Sequence, residues 1–501
     1  MTRISCPKLS QKVTTADVAA GFINHGDNVG MSGFTGAGYP KVVPGALAQR
    51  IEAAHARGED FSIGVLTGAS TSTEMDGVLA QAKGIHMRTP FQSDPTLRKQ
   101  INSDEVDYID THLSHLAQQV WFGFYGNLDV AVVEVSAILP NGLLVPSSAV
   151  GNNKTWLDQA DKVIIEVNEW QPREYEGFHD VYYGTKLPPY RNPIQILDPT
   201  QRIGDPYLRV DPEKVVAVVK THAPDRDNVF APVDDNSKAM AEYLIDFLRH
   251  EVRAGRMPKN LLPLQSGVGN VANAVLAGLQ ESEFEHLTAY TEVIQDSMLK
   301  LLESGKLDAI SATSFSLSGE MAEYFNDNIE SFKGKILLRT QEMSNHPEIV
   351  RRLGIIAING MVESDIYGHV NSTQVLGGQM INGIGGSGDF ARNAFLNFFV
   401  SPSAAKNGAI SAIVPMASHV DHTEHDVHVL VTEQGIADLR GLSPSKRAKV
   451  IIENCAHPDY RDRLTDYVER AKASATGRLH TPHILEEALS WHTKFRDTGQ
   501  M

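Results

Sequence analysis

Short apolar runs alternate with helical patterns along most of this chain, and that alternation narrows the fold more than any other feature. Lys162-Val163-Ile164-Ile165-Glu166-Val167 and Lys214-Val215-Val216-Ala217-Val218-Val219 are short, rich in β-branched residues and almost wholly apolar. They read as strands covered on both faces, and residues 61–66 and 130–135 have the same form. Between them lie helical patterns at 15–25 and 40–55, the latter with Leu47, Ile51 and Ala54 at helical spacing. Buried strands separated by helices predict an α/β fold with largely parallel sheets. The texture changes at residues 221–236, where prolines and aspartates break the periodicity and suggest a domain linker. A long amphipathic helix at 237–253, with Met240, Leu244, Phe247 and Leu248 on one face, then opens a second α/β series. Further strands are expected at 262–265, 287–292, 309–312, 355–358, 409–414 and 428–432, before a charged helical tail at 443–491.

Composition excludes several classes of function. A length of 501 residues suits two to three domains, at roughly 150 residues each. The formal net charge of −16 argues against nucleic acid or an anionic membrane surface as a partner. Anionic substrates stay open, because a site can concentrate positive charge locally. The two cysteines, Cys6 and Cys455, form no C-x-x-C pair, so neither a disulfide framework nor a thiolate metal site is indicated. Nothing at the start of the sequence reads as a signal peptide, and no run approaches the roughly 18 apolar residues of a membrane span. The expectation is a soluble protein of a reducing, cytoplasmic compartment.

Four constellations carry chemical possibilities. The first pairs Glu292, at the end of the apolar run 287–292, with the turn Gly267-Val268-Gly269-Asn270. A partly desolvated carboxylate near backbone N–H donors suggests acyl transfer; alone, it reads more simply as a solvated strand end. Two other glycine turns occur, Gly33-Phe34-Thr35-Gly36-Ala37-Gly38 and Gly383-Ile384-Gly385-Gly386-Ser387-Gly388. The latter matches G-x-G-x-x-G literally but lacks the preceding strand and the acid about 20 residues on that a dinucleotide site needs. The histidines His419, His422, His425 and His428 recur every third residue, yet a strand starting at His428 would splay them, and a metal site is not expected. Glu433, in Glu433-Gln434-Gly435-Ile436-Ala437-Asp438, places a second carboxylate at a strand end, read as a strand-to-helix junction. Ser344-Asn345-His346-Pro347-Glu348 reads by default as a helix N-cap.

Taken in order, Gly-Val-Gly-Asn, Tyr-Thr-Glu-Val, Ser-Asn-His-Pro-Glu, Gly-Ile-Gly-Gly-Ser-Gly-Asp-Phe and Glu-Gln-Gly-Ile-Ala-Asp-Leu-Arg-Gly closely resemble the acetyl-CoA hydrolase/transferase family of class I coenzyme A transferases. The resemblance covers nearly the whole chain. It implies two related open-sheet α/β domains, 1–225 and 226–501, with the catalytic glutamate in the second and the active site between them, usually in a homodimer. Glu292 would be the nucleophile that becomes a glutamyl-CoA thioester. The backbone amides of Val268 and Gly386 would form the oxyanion hole, and Asn345 and Glu433 would position the reacting groups. Gly267, Val268, Gly269, Asn270 and Val271, with Asn382, Gly386 and Lys406, would bind CoA. Arg226 would lie near the distal carboxylate of a succinyl group. The resemblance implies exchange of CoA between succinyl-CoA and acetate, within acetate metabolism and the citric acid cycle. The partners are small acyl-CoA and carboxylic acid molecules, with no metal and no cofactor beyond CoA itself. An acetyl-CoA hydrolase on the same scaffold is the near alternative. A non-catalytic acyl-CoA sensor is the distant one, and it would not need Glu292 and Glu433.

Overall fold

The computed structural model of the chain describes residues 2–69, 72–229, 232–267, 269–477 and 479–501. It divides into two compact units, Met1–Val229 with Thr288–Glu303 and Leu307–Leu353, and Phe230–Leu287 with Ser304–Lys306 and Gly354–Met501. The first runs unbroken to Val229, inside the stretch read from sequence as a linker. The segment carrying Glu292 clusters with this first unit, not with the residues that precede it in a contiguous 226–501 domain.

The main sheet of the first unit runs in the order Val13–Thr14, Val215–Thr221, Lys162–Asn168, Val130–Ile138, Asn28–Met31, Ile63–Ala69, Ile85–Phe91, Asp107–Tyr108. Every pairing along that path is parallel, and only Leu144–Pro146 adds an antiparallel partner, beside Val130–Ile138. Every residue of Ile63–Ala69 and Val130–Ile138 is buried, as expected for strands packed on both faces. Helix Val43–Ala56 lays Val43, Leu47, Ile51 and Ala54 into the core with Val29, Met31, Ile63 and Val65. On helix Asn153–Gln159, Trp156 is fully buried and donates its indole N–H to the Met31 carbonyl at 3.1 Å. Gly30 makes room for it, since a Cβ there would lie 2.8 Å from the indole ring. The first unit also holds a strip of strands: Leu287–Tyr290 (from Thr288 onward), Leu307–Ala312, Ile336–Arg339 and His179–Asp180. Arg339 and Asp180 form a buried ion pair within it, and Arg339 also donates to Ser311 Oγ at 2.8 Å.

The second unit carries Leu264–Ser266, Ile356–Gly360, Leu396–Val400 and Val429–Thr432 as parallel neighbours. Gly435–Asp438 then pairs antiparallel with Val429–Thr432. Glu433 and Gln434 are therefore the two-residue turn of a hairpin, which corrects the strand-to-helix junction expected from sequence. The following helix starts only at Pro444. The run 409–414 is likewise two short strands, Ile410–Ser411 and Ile413–Val414, and helices Pro458–Ser474 and Ser490–Thr498 of the tail are separated by residues 475–477 and 479–489, which are not helical. Both units are α/β with parallel-dominated sheets.

Gly30→Ala should lower thermal stability, because the added methyl must displace a fully buried indole; overpacking of this kind costs about 1–3 kcal/mol. A melting temperature equal to wild type would show that Trp156 has room the structure does not display.

Candidate active site

Strand Leu287–Tyr290 stops two residues short of the expected end, and Glu292 sits in the break before strand Val293–Gln295. The backbone there is tied down on both sides: Thr291 N–H donates to Ser311 O at 2.9 Å, and Glu292 O accepts from Thr313 and Ser314 N–H at 2.9 and 3.2 Å. Glu292 is only partly exposed. Its Oε1 accepts a hydrogen bond from Asn345 Nδ2 at 2.8 Å. Burial pushes its pKa up to about 7, and the Asn345 hydrogen bond works in the opposite direction. A carboxylate in such a place is under-solvated yet still oriented by a donor.

Asn345 is not the helix N-cap that its sequence suggested. It closes the C-terminal end of the short helix Gln341–Ser344, its N–H bonded to Gln341 O, and is fully buried. The helix is pinned in turn. Gln341 N–H donates to Gly151 O at 2.8 Å, Gln341 Nε2 to Leu113 O at 3.0 Å, and Tyr290 Oη to Met343 O.

Arg226 lies in the same unit. Its N–H donates to Gly36 O at 2.9 Å and its Nη1 to Thr73 Oγ1 at 3.2 Å. Gly36 has φ +85°, and a Cβ there would meet the Arg226 side chain at 3.0 Å, so this turn needs a glycine on both counts. The neighbouring Asp225 anchors the segment. It accepts from Gly38 N–H at 2.9 Å and Gln171 Nε2 at 2.9 Å, and pairs with buried Lys41 at 2.9 Å. Burial works against the Lys41 charge, but Asp225 and Glu134 outweigh it and raise its pKa. Thus the stretch read as a linker is locked by a buried charge network as far as Asp225. Arg226 borders a cavity of about 150 Å³ with walls that include Trp170, Tyr175, Phe315 and Phe325. Phe315 belongs to strand Ser314–Ser316, which pairs in parallel with the strand that follows Glu292.

The remaining expected residues fall in the second unit. Gly267 N–H donates to Ile358 O at 2.9 Å, and Gly269 immediately precedes helix Asn270–Glu281, with Asn270 and Val271 in its first turn. Val268 lies outside the described residues. Asn382 Oδ1 accepts from Gly383 N–H at 2.7 Å, and Gly386 immediately precedes helix Ser387–Asn393. Lys406 occupies the turn between Ala404–Ala405 and Ile410–Ser411, its ammonium 5.1 Å from the Phe495 ring centre. Glu433 accepts from Ser403 N–H at 2.7 Å, from the Ser403 hydroxyl and from Gln434 Nε2 at 2.9 Å. Burial acts to raise the Glu433 pKa, but these hydrogen bonds overcome it and leave the pKa below the usual value. The two carboxylates are thus pushed apart, Glu292 upward and Glu433 downward. Sequence reasoning missed Ser403, which sits 30 residues from Glu433 and belongs to no motif.

The histidine turn is splayed. His422 is buried with Nε2 3.1 Å from Ser387 Oγ, and His428 Nδ1 accepts from Asn397 N–H at 3.3 Å. Among the described residues no cluster of three or more His, Cys, Asp and Glu side chains is arranged to hold a metal ion.

Residues 6–220 match the acetyl-CoA hydrolase/transferase N-terminal domain and residues 322–468 the C-terminal domain. A succinyl-CoA:acetate CoA-transferase of Clostridium kluyveri is 54% identical over 499 residues, 100% of this chain and 92% of that protein. The chain belongs to the acetyl-CoA hydrolase/transferase family. It is an enzyme of CoA transfer or hydrolysis. An acetyl-CoA hydrolase of Yarrowia lipolytica is 46% identical over 486 residues, covering 94% of this chain and 92% of its own. RipA from Yersinia pestis shares the fold with a TM-score of 0.71 over 92% of this chain and 98% of its own, at 22% identity. Glu292 falls between the two domain matches, in a segment that the full-length relatives do span. No helix among the described residues is long and apolar enough to cross a membrane.

The raised Glu292 pKa has a definite sign for stability. The folded state holds this proton more tightly than the unfolded chain, so stability falls as pH rises from the ordinary carboxylate value toward about 7. Glu292→Gln should therefore melt higher than wild type at about pH 8, with the gap closing toward about pH 4. A gap that stayed constant across that range would show an unperturbed carboxylate.

Proposed function

We propose that this enzyme exchanges CoA between succinyl-CoA and acetate through a covalent glutamyl-CoA thioester on Glu292. The observation that carries the reading is the Asn345 amide donating at 2.8 Å to a carboxylate whose pKa burial has raised to about 7. Such a carboxylate has lost much of the water that would blunt it as a nucleophile, and it is aimed.

A Glu292 oxygen attacks the acyl-CoA thioester carbon, and the C–S bond breaks to release CoA thiolate, leaving a mixed anhydride. The thiolate attacks the glutamyl carbonyl and expels the first carboxylate. The enzyme thioester remains. A second carboxylate then attacks this thioester, and the same steps in reverse deliver the new acyl-CoA. Backbone N–H groups of Val268 and Gly386 would receive the oxyanions of the two tetrahedral stages. Gly269 precedes, and Asn270 and Val271 begin, the helix Asn270–Glu281, whose N-terminal end suits a phosphate-bearing ligand. With Asn382 and Lys406 they would hold CoA, while Glu433 would position the incoming acid. Only CoA takes part beyond these side chains, and a homodimer in the cytoplasm belongs to the same reading.

Hydrolysis is the second reading, favoured by the 46% identical relative from Yarrowia lipolytica that carries the name acetyl-CoA hydrolase. It differs in one step, water attacking the glutamyl thioester. Wild-type protein exposed to acyl-CoA without an acceptor acid, then reduced with borohydride, should carry the modification on Glu292. Glu292→Ala should lack both the modification and measurable transfer. Acetate-independent release of free CoA at the full turnover rate would favour the hydrolase, and wild-type turnover in Glu292→Ala would end both readings.

Arg226 supplies the reason for a dicarboxylic partner. Its guanidinium borders the cavity and donates to a neutral hydroxyl, Thr73 Oγ1. Asp227, Glu323 and the Lys41-paired Asp225 line the same cavity and oppose an anion, so the gain is modest. Arg226→Ala should lower kcat/KM for succinyl-CoA by about tenfold, the scale of one charge-assisted hydrogen bond, and change acetyl-CoA use much less. Equal losses for both substrates would leave the preferred acid unassigned.

A further inference from the structure

The amide of Asn345 has two ends, and only one is useful to the nucleophile. Nδ2 is the donor to Glu292 Oε1, which requires Oδ1 to face the other way. Were the amide reversed, its oxygen would face an ionised carboxylate oxygen, and the two would repel. Asn345 is fully buried, so water does not choose the orientation. The neighbouring Ser344 does reach it. Ser344 Oγ is 2.8 Å from Asn345 Oδ1, placed to donate to it, and is itself fully buried.

We infer that Ser344 is a positioning residue for the reaction, fixing the Asn345 amide so that its N–H end always meets Glu292. A serine hydroxyl has one proton to give. Among the described residues its competing acceptor is Gln341 O at 3.2 Å, the back-bond common to helical serines, and it is the longer of the two. The hydroxyl also cannot drift. Helix Gln341–Ser344 is held by Gly151 O and Leu113 O through Gln341, and by Tyr290 Oη through Met343 O. Tyr290 is the last residue of the strand leading to Glu292, so the same contacts that hold the orienting hydroxyl also hold the nucleophile's own strand. The sequence Ser344-Asn345 thus works as a two-step relay, hydroxyl to amide to carboxylate. A valine-sized apolar residue at position 344 would leave Asn345 Oδ1 without this donor.

The inference rests on Glu292 being the nucleophile. Ser344→Ala should lower kcat about five- to tenfold, the worth of one buried hydrogen bond, with KM for acyl-CoA changed less than about twofold because the fully buried hydroxyl acts through Asn345. The deciding measurement is the double variant. If Ser344 acts only through the amide, Ser344→Ala added to Asn345→Ala costs nothing more in kcat. Losses that multiply, or a loss confined to KM, would overturn the relay. Should Ser344→Ala also melt early, Ser344→Thr decides, since it keeps the hydroxyl: kcat near wild type supports the relay, and kcat as low as that of the alanine variant refutes it. Failure of the underlying reading shows separately, as wild-type protein that forms no borohydride-trapped Glu292 adduct.

Discussion

A carboxylate in water is well solvated and a poor nucleophile; the proposed mechanism needs one that is short of water yet still aimed. At Glu292 burial meets the first condition and the Asn345 hydrogen bond the second, with helix Gln341–Ser344 held by Gly151 O, Leu113 O and Tyr290 Oη. Burial alone would protonate the acid, and full exposure would leave it inert. One neutral donor is a compromise between them: it favours the charged form without pinning it as a cation would. An arginine in the place of Asn345 would drive the pKa well below the ordinary range and bind the carboxylate in its ground state.

The supporting structure is backbone-heavy for the same reason. Glu292 sits in a strand break where Thr291 N–H donates to Ser311 O and Glu292 O accepts from Thr313 and Ser314 N–H, so the chain leaves the sheet with these polar groups paired. A comparable economy holds the Arg226 segment. Asp225 takes hydrogen bonds from Gly38 and Gln171 and pairs with Lys41, which itself faces Glu134. A buried cluster of this kind contributes little net stability but specifies one conformation for a stretch that has no periodic structure of its own. In the second unit Glu433 is treated in the opposite way, with several donors and a lowered pKa.

Much of the fold could be read from local pattern. The runs 162–167 and 214–219 became strands Lys162–Asn168 and Val215–Thr221, because a short, largely apolar run rich in β-branched residues has few other stable states. The helices Val43–Ala56 and Asp235–Arg253 followed their apolar spacing. Where reading failed, the competing signal was non-local. The stretch 221–236 reads as a linker and the first unit does end within it, at Val229, but nothing in its local pattern shows that Asp225 is held by Lys41, 184 positions earlier, and by Gly38 and Gln171. Glu433 was placed before a helix because Gly435-Ile436-Ala437-Asp438 has no clear strand alternation, yet pairing with Val429–Thr432 decides it.

The sequence by itself determined the α/β class, the identity of Glu292 as the carboxylate worth testing, and the family, since ordered motifs spread over the chain are hard to produce by chance. Tertiary structure alone decided which way Asn345 presents its amide, that Ser344 stands behind it, that Ser403 sits on Glu433, and that the Glu292 segment packs with the first unit. The reason is physical. Secondary structure and motif identity follow from neighbours in the chain, whereas the direction of a hydrogen bond and the pKa of a carboxylate depend on what surrounds the group in space.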